Sequence, residues 1–272
     1  MKTYEHVYRR RVPTEDYQLI RLDGKSFHSY TKGLQRPYDE KLMEAMDATT
    51  LALCEQVPGV RAAYVESDEI SLLLTNFRPV EASDSNPSGV AIGEPWMGGV
   101  EAKILSLTAA IASVAFNEER RRQVADLPSG EARRQHPSSA LFDSRLWTFP
   151  GTQEGRELVE KYFLWRRRDS VKNSVTMAAL THFSHRQLHG VNTEAKQERL
   201  RAIDAPWEAL PAGFRFGRYA QRLLRGEEIT FTHGRTGEVK TQFVQRSYWA
   251  VEPLEDLDSI STLIPPPPEV TP

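Results

Sequence analysis

Ala62-Ala63-Tyr64-Val65-Glu66-Ser67-Asp68-Glu69-Ile70-Ser71-Leu72-Leu73-Leu74-Thr75 is the stretch that decides the fold. Ala62 to Glu66 and Ile70 to Thr75 are short β-prone runs, and Ser67-Asp68-Glu69 between them forms the acidic tip of a hairpin. Toward the N-terminus, Asp16 to Leu22 alternates and ends in the turn dipeptide Asp23-Gly24, which predicts a strand whose end carries a carboxylate. Between these two pieces, Asp39 to Val57 places Leu42, Ala45, Met46, Thr49 and Leu53 at helical spacing. Beyond the hairpin comes a loop rich in Pro, Ser and Gly from Asn76 to Gly99. Ile104, Leu107, Ile111 and Val114 then fall on one face of a helix over Val100 to Val124, and Ser144 to Phe149 makes a further strand. The order is βαββαβ, the split motif of ferredoxin-like sheets, so the expected class is α+β. In that topology the first and third strands are antiparallel neighbours at the sheet centre. The end of one and the start of the other share a rim, and that rim carries Asp23 and Asp68.

The rest of the chain reads helical over Gln153 to Arg186, Glu194 to Ile203 and around Arg215 to Arg225, with a late strand near Thr241 to Val251. We expect a catalytic domain over residues 1–150 and, packed with it as one unit, a helical extension with a late strand over 151–258. Pro265 to Pro268 can join neither a helix nor a sheet interior, so residues 259–272 are expected to form a disordered tail. A chain of 272 residues, 39% hydrophobic and 26% charged, can bury a sizeable core. No segment approaches the roughly 18 apolar residues of a membrane span, and MKTYEHVYRRR lacks the apolar stretch of a signal peptide. The single cysteine, Cys54, permits no intrachain disulfide and reads as a core filler, which points to a cytoplasmic protein. The net charge of −2 gives no global nucleic-acid signal. The arginines are clustered, however, at Arg9 to Arg11, Arg120 to Arg122, Arg133 with Arg134, and Arg166 to Arg168. Any one cluster reads as a solvated face; together they suit a phosphate-bearing partner.

Two carboxylates converging on a rim suit a pair of magnesium ions, which take oxygen ligands and complete their shells with water and substrate phosphates. The turn Gly24-Lys25-Ser26-Phe27-His28 offers successive backbone N–H groups to a phosphate. Taken without Asp68, an Asp-Gly turn followed by Lys is more often a plain surface hairpin. His182, His185 and His189, at spacings that put them on one helical face, suggest zinc, but no cysteine or well-spaced carboxylate completes the set, so exposed or RNA-facing histidines are expected.

Several motifs resemble those of the tRNA-His guanylyltransferase superfamily, in particular its bacterial-type Thg1-like members. Arg21-Leu22-Asp23-Gly24-Lys25-Ser26-Phe27-His28 is similar to the R-[VIL]-D-G-[KR]-x-F-H signature, and Ser67-Asp68-Glu69-Ile70-Ser71 to S-D-E-[IYF]-S. Phe142-Asp143-Ser144-Arg145 resembles F-D-x-R, and Tyr162 to Ser174 resembles Y-x-x-W-R-x-x-D-x-x-x-N-[NS]. Leu188-His189-Gly190 with Lys196 and Leu200, then Leu210-Pro211 followed by Gly217, match later segments.

The resemblance implies a ferredoxin-like polymerase palm domain with a helical C-terminal extension that works in the 3′-to-5′ direction. Such an enzyme activates a tRNA 5′ end, usually by adenylylation from ATP, and the 3′-hydroxyl of an incoming nucleotide then attacks the activated phosphate. It also implies two magnesium ions on Asp23, the Gly24 carbonyl and Asp68, with Glu69 a neighbouring acid. Lys25, Ser26, Phe27, His28 and Ser67 would hold one triphosphate (ATP, GTP or another NTP), and Asn173 and Lys196 a second. Arg21, Arg145, Arg166 and Asp169 would organise the site or the tRNA end, within a homotetramer. Where eukaryotic members carry His-Ile-Asn-Asn, this chain has Val171-Lys172-Asn173-Ser174, which favours templated 5′-end repair of truncated tRNA. A fixed guanosine addition at position −1 is the alternative, and a catalytically inactive tRNA-binding protein a further one. A GGDEF-type cyclase is disfavoured by the Ser-Asp-Glu-Ile tip.

Overall fold

The structure, a computed structural model, describes residues 2–7, 9–81, 89–136, 138–232, 234–253 and 260–268. Parts of the Asn76 to Gly99 loop and of the Pro-rich tail lie outside them. In chain order come α1 (Lys2–Val7), β1 (Tyr17–Gly24), α2 (Phe27–Tyr30), α3 (Glu40–Gln56), β2 (Val60–Glu66), β3 (Glu69–Leu74), a small hairpin of β4 (Phe77–Pro79) and β5 (Val90–Ile92), α4 (Glu101–Gln123), α5 (Ser129–Gln135) and β6 (Phe142–Phe149). They are followed by α6 (Gln153–His182), α7 (His185–Leu188), α8 (Thr193–Ala202), α9 (Ala212–Phe216), β7 (Arg218–Thr232), β8 (Val239–Pro253) and α10 (Ile260–Leu263).

The main sheet has the order β6-β1-β3-β2-β7-β8. Its first four members are the ferredoxin-like βαββαβ arrangement expected of a polymerase palm, with β1 and β3 antiparallel at the centre and Asp23 opposite Glu69. The period of two along each strand sorts side chains onto two faces. Ile20, Leu22, Val65, Ile70, Leu72 and Leu74 join Met46 and Leu53 of α3 and Ile104 and Phe116 of α4 in one core. Leu19, Tyr64 and Leu73 join Val159, Tyr162 and Phe163 of α6 in a second core on the opposite face. Burying both faces of a strand takes apolar residues at successive positions, which is why residues 70–74 read as an almost unbroken hydrophobic run. Asp39 caps α3, its Oδ1 accepting from Leu42 N–H at 2.9 Å. Cys54 lies in the first core, and burial pushes its thiol up to about 12, so it is a packing residue and not a nucleophile.

Three expectations for the C-terminal part are corrected. Arg215 to Arg225 has a helical composition, yet from Arg218 onward it is strand, because β2 offers a free edge and pairs Val65 with Arg218 and Ala63 with Ala220. The long helix stops at His182, since Ser184 and Gln187 form a capping box that starts α7. The expected disordered tail is ordered over 260–268: Ile264 is 3% exposed, Tyr17 Oη donates to the Pro265 carbonyl at 2.8 Å, and Arg156 donates to the carbonyls of Ser261 and Ile264.

Candidate active site

The two acidic turns are fixed to each other by backbone. Gly24 N–H donates to the Asp68 carbonyl at 3.1 Å, which brings the end of β1 against the β2–β3 tip. Ser67 takes a left-handed conformation there (φ 47°), and its hydroxyl donates to Asp68 Oδ1 at 3.1 Å. Burial raises the Asp68 carboxyl above the ordinary carboxylate range and the nearby Asp23 adds to the rise, against backbone and Ser67 hydrogen bonds that lower it. Among the described residues neither Asp23 nor Asp68 pairs with a lysine or arginine, although the acids just behind them do. Two close carboxylates without a basic partner, beside a backbone carbonyl, form an all-oxygen donor set of the kind a hard divalent cation takes.

Behind the rim lies a buried ionic cluster. Arg166 of α6 pairs with Glu66, with Glu69 at 2.6 Å and with Asp169 at 3.1 Å, and Arg21 reaches Glu69 at 3.6 Å. Burial pushes the Glu66 carboxyl up to about 8, against the pull of Arg166. One turn earlier on α6, Tyr162 Oη and Ser71 Oγ share a 2.7 Å hydrogen bond. Arg21, Arg166, Asp169 and Glu69 thus form one assembly that ties α6 to the sheet. Arg145 stands apart, exposed on β6, where it pairs with Asp143 at 3.4 Å.

A cleft of about 490 Å³ opens beside the rim, within the size range of small-molecule sites. Of the residues given a site role from the sequence, Phe27, His28, Ser67, Asp68 and Asn173 line it. The turn expected to hold phosphate has fewer free backbone donors than its sequence suggests. Gly24 and Lys25 already donate their N–H groups to Asp68 O and Leu141 O, which leaves Ser26, Phe27 and His28 as its backbone donors. The Phe27 ring packs against Tyr30, Phe116 and Phe142 in the core, so this residue anchors the turn. A Cβ on Gly24 would fall 2.2 Å from that ring. Gly24→Ala is therefore expected to displace Phe27 and cost about 1–3 kcal/mol, the usual price of overpacking, as a urea unfolding curve would read. A wild-type midpoint would show that the ring has room to yield.

Lys196 does not line the cleft; from α8 its Nζ donates to Thr176 Oγ1 at 3.0 Å, one turn along α6 from Asn173. The three histidines do not share a helix face, because the chain breaks between α6 and α7, and His185 alone of them lines the cleft. Sequence reasoning missed the cleft's other walls: the segment from Gln35 to Asp39, Met43, Ser170, Met177, Phe214 and Arg218. Only Tyr38-Asp39, an aromatic followed by a cap, carried any local signal.

The family described as Thg1, tRNAHis guanylyltransferase, matches residues 1–150. A bacterial tRNA(His) guanylyltransferase (Thg1)-like protein solved in complex with ATP is 28% identical, with 97% of each chain covered and a TM-score of 0.73. A bacterial Thg1-like protein solved in complex with GTP is 26% identical, with 97% of this chain and 96% of that one covered and a TM-score of 0.67. The uncharacterized protein R259 of Acanthamoeba polyphaga mimivirus is 25% identical over 230 residues, 82% of this chain and 76% of that protein.

Proposed function

The chain belongs to the tRNAHis guanylyltransferase (Thg1) family and is a nucleotidyltransferase, and from that membership we propose that it rebuilds the 5′ end of truncated tRNA, taking each added nucleotide from the acceptor-stem template. The observation that carries the reading is the convergence of Asp23 and Asp68, free of basic partners, at the mouth of a nucleotide-sized cleft. In this reading Asp23, the Gly24 carbonyl and Asp68 hold two magnesium ions, which supply charge neutralisation and activation of the attacking oxygen in phosphoryl transfer. A triphosphate rests on the Ser26 to His28 turn and Ser67, and its base enters the cleft. An oxygen of the tRNA 5′-monophosphate attacks the α-phosphorus of the bound purine triphosphate, ATP or GTP, and pyrophosphate leaves. The 3′-hydroxyl of the next nucleotide, positioned by Asn173 and Lys196, then attacks the activated 5′-phosphorus and releases the nucleoside monophosphate. Arg166, Arg21 and Asp169 hold the rim at the right distance from α6. The ATP and GTP complexes of the two bacterial neighbours support a purine nucleotide in this cleft.

Templating is tested with one tRNA lacking its first nucleotide, made in four versions that differ at the opposing base, each offered the four nucleotides in turn. The expected result is addition of the complementary nucleotide in every version, ending when the stem is complete. Equal addition of guanosine to all four versions, and of nothing else, would mean a fixed guanylyltransferase.

A further inference from the structure

The cleft has two unlike ends. The strand order β1-β3-β2-β7 sets the Asp23-Gly24 turn three strand spacings from β7, about 14 Å across the sheet. Toward the β1 side the lining includes Phe27, His28, Ser67 and Asp68; toward β7 it is Met43, Gly213, Phe214 and Arg218. A triphosphate seated at the first end leaves its base at the second. The Phe214 ring, 5.4 Å from Tyr38, provides a flat apolar wall there. Of the basic residues lining the cleft, His28, Arg36 and His185 are exposed, whereas Arg218 is 6% exposed. Arg218 is also held from behind: Nε donates to Asp47 Oδ1 at 2.5 Å and one Nη donates to the Gly213 carbonyl at 3.1 Å. These bonds orient the guanidinium and engage two of its five donors.

We propose that Arg218 is the base-reading residue of this cleft, donating to N7 of either purine and to O6 of guanine alone, so that the site prefers GTP to ATP. An arginine fork matches the N7 and O6 acceptors of guanine, while adenine presents an amino donor where guanine has O6. Asp47 fixes the fork, and a lysine at this position could keep the ion pair but not the paired contact. The inference rests on the reading of the cleft as a nucleoside triphosphate site.

Calorimetric titration of the whole chain with GTP, ATP and 7-deaza-GTP, each with magnesium, tests it. GTP is expected to bind about tenfold more tightly than ATP or 7-deaza-GTP, the effect of one base contact. In Arg218→Lys the three should converge on one weaker value. If wild-type protein binds all three alike, Arg218 is no more than a tie between α3 and β7 and the inference is overturned, while the nucleotide cleft stands. If none of them binds, the reading of the cleft fails and takes the inference with it.

Discussion

Asp68→Asn and Asp23→Asn are each expected to abolish both activation of the tRNA 5′ end and nucleotide addition, lowering either rate by about a thousandfold or more. In the proposed mechanism each phosphoryl transfer would draw several kcal/mol of charge stabilisation from the same ions, and every 1.36 kcal/mol is a factor of about ten. The loss should not be a folding defect. Asp68 sits beside Asp23 with its carboxyl already raised by burial, so removing one negative charge relieves repulsion. A thermal melt at or above the wild-type midpoint, combined with absent labelled-nucleotide incorporation, is the expected pair of results. Near-normal activation in both variants would show that the rim does not serve that step.

Arg166→Met should have the largest effect on stability. The side chain is 5% exposed and faces Glu66, also 5% exposed, Glu69 and Asp169. Removing one member of a buried ionic cluster costs about 3–5 kcal/mol, because the partners are left without compensation. Here the lower end is expected, since the raised Glu66 carboxyl already carries little negative charge near neutral pH and Arg21 still faces Glu69. Glu66 also sets a pH dependence. Its carboxyl is at about 8 in the folded chain against an ordinary 4.5, so between those values the native state holds a proton that the unfolded state has released. The group therefore stabilises fully below about 4.5, and its contribution is lost as pH rises through about 8. Glu66→Gln should flatten the fall in melting temperature across that window. Urea unfolding reads the Arg166→Met loss, and a loss under about 1 kcal/mol would show that the cluster does not hold α6 to the sheet.

The palm was legible because its signals are local. The Asp23-Gly24 and Ser67-Asp68-Glu69 turns and the helical spacing after Asp39 each depend on residues within a few positions. β7 was not legible, since Arg218 to Arg225 has the composition of a helix and becomes strand only through the free edge of β2. Ser174, singled out as a departure from the eukaryotic motif, accepts from Trp207 Nε1 at 3.1 Å and donates to the Arg215 carbonyl, so it also ties α6 to the segment before β7. The cleft residue Met43 lies far in sequence from Phe214 and Arg218 and meets them only through tertiary packing, which leaves no pattern to read. Arg166 did show in a motif, but its burial among three acids could not be inferred from spacing.

The hydrogen bond from Gly24 N–H to the Asp68 carbonyl has a bearing on how the rim tolerates its own charge. Side chains that repel can ordinarily swing apart, but here their backbones are stitched together by the sheet, so separation is limited to rotation about χ1 and χ2. The folded chain thus keeps two anions near each other whether or not a counter-charge is present. A divalent cation arriving there need order no loop, and the entropy of assembling its ligands has already been met by folding.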